Sequence, residues 1–268
     1  MNTLKSRLRD FKLSGIYNSL EERLSYAHEK SLSHVELLEL LFEDETNNRI
    51  NNSYKKRYAK AKLPSHKALE DFDFSFQPSI DKKIINDCAT CNFINEKKNI
   101  VFIGNPRTGK THLSIAIGIR SLMKGFKVCF TSVTEMLYVL NTSRADNSYY
   151  EKVSFYLSPD LLILDELGFK KLPGYSADDL FEIISKRYEK GSVIITTNKA
   201  FEQWGDIFSD NILASAILDR IVHYSTVIKI NGPSYRAKNL KNRLSRKSFQ
   251  PMITAITSSV NNLLNLHF

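Results

Sequence analysis

Residues 104–111 read Gly104-Asn105-Pro106-Arg107-Thr108-Gly109-Lys110-Thr111, which fills every fixed position of the phosphate-binding pattern G-x-x-x-x-G-K-[ST]. The pattern needs a strand before it and a helix after it, and the sequence supplies both. Ile100-Val101-Phe102-Ile103 is a short apolar run suited to a buried strand. Thr111 to Met123 carries Leu113, Ile117 and Leu122 at helical spacing. In that setting the loop N–H groups and the positive end of the helix surround a phosphate. Lys110 offers a mobile cation to the β and γ phosphates, and the Thr111 hydroxyl is a candidate magnesium ligand.

Arg107 stands where such loops often carry glycine. If the backbone there requires a positive φ, a side chain strains it. The expectation is ATP binding weaker than the motif alone suggests.

Four further apolar runs follow the loop strand: Val128 to Thr131, Leu161 to Leu164, Val193 to Thr196 and Val227 to Ile230. The intervals suit helical crossovers, so the fold class is α/β, a parallel sheet flanked by helices. Leu161-Leu162-Ile163-Leu164-Asp165-Glu166 delivers two carboxylates at a strand end. A strand beside the phosphate loop would bring Asp165 to magnesium and leave Glu166 to polarise the attacking water. Val193 to Thr197 ends in Asn198, a neutral group able to hold that water. Arg220 and Arg236 are candidates for stabilising charge on the transferred phosphoryl group.

The chain has 268 residues and a formal net charge of +9. That size holds an α/β core and a smaller appended domain, and the charge favours a polyanionic partner. Residues 1–68 read as a helical domain in which Gly15 marks a turn, 69–240 as the nucleotide-binding domain, and 241–268 as a tail of unassigned role. Between Arg49 and Lys67 lie seven cations and no acid, with Tyr54 and Tyr58 among them. Arg49, Lys55, Lys56, Arg57, Lys60 and Lys62 are therefore the candidate nucleic-acid contacts, and the tyrosines can stack on sugar or base. Cys88 and Cys91 form a C-x-x-C on a helix face without companion ligands, which reads as two small core residues. Neither a signal peptide nor a long apolar span is visible, so the expected location is the cytoplasm, away from membranes.

Assembled in this order, the motifs resemble the IstB-like branch of the AAA+ ATPases, helpers of insertion-sequence transposition related to the DnaC helicase loaders. The resemblance covers about residues 4–240. It rests on Leu13-Ser14-Gly15, Leu69-Glu70-Asp71-Phe72-Asp73-Phe74, Thr108-Gly109-Lys110-Thr111-His112-Leu113, Leu164-Asp165-Glu166-Leu167-Gly168, Thr196-Thr197-Asn198, Leu218-Asp219-Arg220 and Ser234-Tyr235-Arg236. It implies ATP contacts along 104–111 and at His112, and an Mg²⁺ site at Thr111 and Asp165. It further implies a sensor role for Asn198, a finger role for Arg220 toward a neighbour's ATP, and a second sensor at Arg236. The implied partners are duplex DNA, a transposase and further copies of the chain in a ring or spiral. Three rivals share the phosphate loop: a helicase loader, a nucleotide-gated DNA scaffold with little hydrolysis, and a small-molecule kinase. The kinase leaves Asp165, Glu166, Asn198 and the two late arginines without a purpose.

Overall fold

A computed structural model describes residues 2–169, 172, 174–208 and 210–235. Three helices come first: α1 (Asn2–Asp10), α2 (Ser14–Lys30) and α3 (His34–Lys60). Ser33 starts α3 with a capping box, its hydroxyl accepting from the Glu36 N–H while the Glu36 carboxylate accepts from the Ser33 N–H. Leu8, Ile16, Leu20 and Leu41 form a small core between these helices.

Gly15 is not a turn residue. It lies in the first turn of α2, where a Cβ would fall 2.5 Å from the Glu45 Cα. Its value is close approach of two helices, and the chain reverses earlier, at Lys12 with φ 57°. Glu45, buried at this crossing, accepts from the N–H groups of Gly15 at 2.6 Å and Ile16 at 3.3 Å. Those amides have no partner within their helix, so the carboxylate caps it.

The second half of α3 belongs to a different core. It packs on the helix after the phosphate loop and on the sheet edge, with Tyr54 and Tyr58 partly buried there. Both tyrosines therefore serve packing, which corrects the expectation that they stack on nucleic acid. Apolar faces at i and i+4 seek the larger core.

The chain continues through α4 (Lys82–Ala89), α5 (Asn92–Asn95), β1 (Asn99–Gly104), α6 (Lys110–Met123), β2 (Val128–Ser132), α7 (Val133–Thr142) and α8 (Tyr149–Leu157). It ends in β3 (Leu161–Leu167), α9 (Gly174–Arg187), β4 (Ser192–Thr197), α10 (Trp204–Phe208), α11 (Asn211–Val222) and β5 (Ser225–Ile230). All five strands are parallel in the order β2-β3-β4-β1-β5. Side chains of β1 alternate between two cores, Ile100 and Phe102 in one, Val101 and Ile103 in the other. A strand buried on both faces must be apolar at every position, which is why the sequence shows runs and not alternation. On the β2 edge, the Phe130 N–H donates to the Ala61 carbonyl at 2.8 Å, so the end of α3 covers an otherwise open ladder.

The C-x-x-C pair is buried, as the sequence suggests, but not on one helix. The chain turns between α4 and α5 at Cys91, whose φ is 61°. Burial pushes the Cys88 thiol up to about 11, so it is a poor nucleophile. No cluster of three or more metal-ligating side chains occurs among the described residues, and none of their helices is long and apolar enough to cross a membrane.

Candidate nucleotide-binding site

β1 delivers the chain at the carboxyl edge of the sheet, and α6 carries it away. Between them the loop bends around two close approaches. A Cβ on Gly104 would meet the Ile230 carbonyl oxygen at 2.4 Å, and one on Gly109, at φ 103°, would meet the Phe72 ring at 2.6 Å. Arg107 sits at φ 67°. The strain anticipated from the sequence is therefore present, a non-glycine residue in the left-handed region costing roughly 1–3 kcal/mol. Its side chain is exposed at the mouth of the cleft.

Lys110 is 8% exposed, and its Nζ donates to the carbonyls of Gly104 at 2.7 Å and Asn105 at 2.8 Å. Burial pulls the ammonium below its ordinary range, against the pull of Asp165 and Glu166. A cation stripped of water above its own loop is complementary to an anion. The Thr111 hydroxyl donates to Asp165 Oδ1 at 2.9 Å and Oδ2 at 3.1 Å.

The strand carrying Asp165 is not the neighbour of β1, as expected from the sequence; β4 lies between them. Contact is made because Thr111, in the first turn of α6, reaches across the edge of the sheet. The intervening strand adds a group the sequence did not single out. Thr196 donates its hydroxyl proton to Asp165 Oδ1 and accepts from the Glu166 N–H at 3.0 Å.

Leu164 pairs with Ile195 and Leu167 with Thr197, so Asp165 and Glu166 together oppose Thr196. This is a β-bulge, and Glu166 takes φ 62° within it. Simple alternation predicted opposite faces for the two acids. The bulge achieves the separation differently, with Asp165 buried and Glu166 exposed toward the cleft. Asn198, one residue past β4, is exposed on the same wall.

The remaining wall comes from the connecting segment before α4 and from the last described residues. Phe72, 6% exposed, packs edge-on against His112 at 5.4 Å and Tyr235 at 5.8 Å between ring centres. His112 Nε2 lies 2.9 Å from the Ala68 carbonyl. Tyr235 donates its N–H to the Arg107 carbonyl at 3.0 Å and its hydroxyl to the Asp73 carbonyl at 2.6 Å. Together these surfaces enclose a cleft of about 970 Å³, ample for a nucleotide. Sequence reasoning gave Phe72 and Tyr235 no place in the site. The aromatic alternation Phe72, Phe74, Phe76 was the available signal.

Arg220 is elsewhere. It lines a small cavity with Asn99 and Val193, at the start of β1 and β4 and so at the opposite end of the sheet from the loop. Its Nη1 donates to the Ala216 carbonyl at 2.8 Å, and its guanidinium lies over the Phe181 ring. Arg236 and the tail 241–268 lie outside the described residues. Of the six candidate DNA contacts, three have partners within the chain, among them Lys62, whose ammonium lies 4.8 Å from the Phe155 ring centre. Arg49 Nε pairs with Glu45 at 2.6 Å, and Arg57 donates through Nη2 and Nε to the Leu122 carbonyl at 3.1 and 3.3 Å. Lys55, Lys56, Lys60 and Lys62 are exposed.

A five-stranded parallel sheet with a phosphate loop after β1, and an acidic bulge on β3, one strand beyond its neighbour β4, defines a P-loop nucleotide-binding fold of the AAA+ type. Residues 6–243 match the family described as IstB-like ATP binding protein, and the chain belongs to it. It is 36% identical over 238 residues to the IS21 insertion-sequence ATP-binding protein of Pseudomonas aeruginosa, covering 89% of this chain and 90% of that one. It is 38% identical over 213 residues to the corresponding IS5376 protein of Geobacillus stearothermophilus, covering 80% and 85%. Among solved structures, the DnaC helicase loader superposes with a TM-score of 0.51 at 22% identity, over 66% of this chain and 99% of that one. DnaA of Aquifex aeolicus bound to AMPPCP gives 0.52 at 22% identity, over 69% and 56%. At such identity these two likenesses show the fold alone.

Proposed function

We propose that this ATP-binding protein is a helper of insertion-sequence transposition that assembles on duplex DNA, hydrolyses ATP and delivers the DNA to a partner transposase. The observation that carries the reading is the Thr111–Asp165–Thr196 hydrogen-bond chain with Glu166 held beside it in a bulge. Thr111 and Asp165 present oxygen donors for Mg²⁺, which usually takes few protein ligands and completes its shell with phosphate and water. Bound there, Mg²⁺ would neutralise charge developing on the phosphates. Glu166 accepts a proton from the attacking water, and Asn198 orients that water. A carboxylate kept exposed next to a buried one is free to take a proton while its neighbour stays committed.

Arg220 lies too far round the sheet to serve its own cleft, which supports a role toward a neighbour's γ-phosphate. ATP then sits between subunits and favours their assembly, and hydrolysis loosens it. Arg236, one residue beyond Tyr235, is the proposed second sensor. The exposed lysines Lys55, Lys56, Lys60 and Lys62 supply phosphate contacts to DNA. Electron microscopy of the protein with duplex DNA, with and without ATP, tests the assembly directly. The reading requires ordered rings or spirals on DNA that depend on ATP, and protein that ignores DNA under both conditions would refute it.

The strained Arg107 favours a second reading, a nucleotide-gated scaffold that binds ATP and barely hydrolyses it. DNA-stimulated phosphate release distinguishes the two: steady release supports the enzyme, and ATP-dependent assembly without release supports the scaffold.

A further inference from the structure

A second cleft, of about 670 Å³, lies between the connecting segment, α4 and the end of α6, on the far side of Phe72 from the nucleotide site. Its floor is apolar, built from Leu69, Phe72, Phe74 and Met123, the last 52% exposed. Its rim is cationic. Arg120 pairs with Glu70, Lys124 donates to the Thr90 carbonyl, and the Lys82 ammonium lies 5.6 Å from the Phe74 ring centre. Glu70 is the one carboxylate among the lining residues, so three cations face a single acid.

An apolar floor inside a cationic rim is complementary to a segment with hydrophobic anchors and flanking acids. A nucleic-acid duplex would use the cations but, with its bases stacked inside, gain little from an apolar floor that also holds Leu69 and Met123. We propose that this groove docks an acidic amphipathic segment of a partner protein, and that Phe72 links its occupancy to the nucleotide cleft. Phe72 forms a wall of both clefts and touches the phosphate loop where a Cβ on Gly109 would collide with it. An occupant that shifts this ring changes ATP affinity, and ATP changes the occupant's affinity by the same factor. Docking itself goes beyond the transposition reading and requires neither hydrolysis nor DNA binding.

The test uses the full chain and a short fluorescein-labelled peptide of leucine, phenylalanine and glutamate patterned on one helical face. Its counterpart carries lysine in place of glutamate. The acidic peptide is expected to bind the unaltered protein, with the Lys82→Glu, Lys124→Glu double variant losing about tenfold or more in affinity and preferring the lysine peptide. Met123→Glu is expected to weaken the acidic peptide as well. All three positions are exposed, and melting curves should superpose. ATP affinity without peptide should be unchanged in these variants, which separates failure of the groove from failure of the nucleotide site. Saturating peptide should shift the affinity for a non-hydrolysable ATP analogue. No binding, or equal binding to the double variant, overturns the docking site. Displacement of the peptide by a duplex oligonucleotide that depends on the same lysines reassigns the groove to nucleic acid. Peptide binding with unaltered ATP affinity overturns the link through Phe72.

Discussion

The Tyr235 N–H donates to the Arg107 carbonyl at 3.0 Å, tying the end of the described chain to the strained residue of the phosphate loop. The bond explains how a left-handed arginine persists: its carbonyl is held from outside the loop. Arg107→Gly should then keep the bond and remove the strain, roughly 1–3 kcal/mol, less the roughly 0.5–1 kcal/mol of chain entropy that glycine costs. Melting temperature is expected to hold or rise, and ATP affinity or turnover to rise. If both affinity and turnover fall, the guanidinium is itself a phosphate ligand.

Lys110→Ala removes a buried cation whose Nζ donates to two loop carbonyls. Charge-assisted bonds of this kind contribute about 1.5–3 kcal/mol, so nucleotide affinity should fall roughly ten- to a hundredfold with the circular dichroism spectrum unchanged. Isothermal titration measures it, and an unaltered dissociation constant would remove the lysine from the site.

For Glu166→Gln, shape is kept and the proton acceptor is removed. ATP binding should persist while turnover drops about 10²- to 10⁴-fold, the usual contribution of a positioned base. DNA-bound assemblies should live longer. Phosphate release at saturating ATP reads the outcome, and undiminished release would assign the water to another residue.

Much of this architecture is legible in the sequence because a parallel sheet buries both faces of each strand. All five apolar runs became strands, within a few residues at each end. What depends on neighbours was not legible. The insertion of β4 between β1 and β3 is a property of crossovers and leaves no mark on either strand. The bulge at Asp165 and Glu166 is hidden because two consecutive acids look the same in a regular strand. Tyr54, Tyr58 and Arg57 read as a nucleic-acid face until the second half of α3 is seen against α6. A basic run states charge, and only packing decides which members of it reach solvent.

That last point divides the basic segment experimentally. Arg57 caps the last turn of α6 through the Leu122 carbonyl, so Arg57→Ala should cost about 1–3 kcal/mol of stability. Lys55, Lys56 and Lys60 are exposed. Their triple alanine variant should melt normally yet lower the salt-dependence slope of DNA binding by roughly 0.9 for each phosphate no longer neutralised. Binding measured across a salt series separates the two effects, and an unchanged slope would put the DNA path on another face.

Arg220 sits at the amino end of the sheet and its own phosphate loop at the carboxyl end, so a catalytic arginine there acts only on a neighbour. Arg220→Ala should bind ATP almost normally, because the cleft it leaves intact is its own. It should lose hydrolysis and ATP-dependent assembly, a finger contributing about 10³–10⁵ in rate. Mixing the variants is the sharper experiment. Arg220→Ala subunits keep a complete phosphate loop, and Lys110→Ala subunits keep the arginine, so a mixed assembly rebuilds interfaces that neither variant forms alone. Recovery of phosphate release on mixing, with DNA present, is the expected result. Co-assembly without recovery would reduce Arg220 to the role it already has within its own subunit, a guanidinium resting on Phe181 and the last turns of α11, and would remove the reason for placing ATP between subunits.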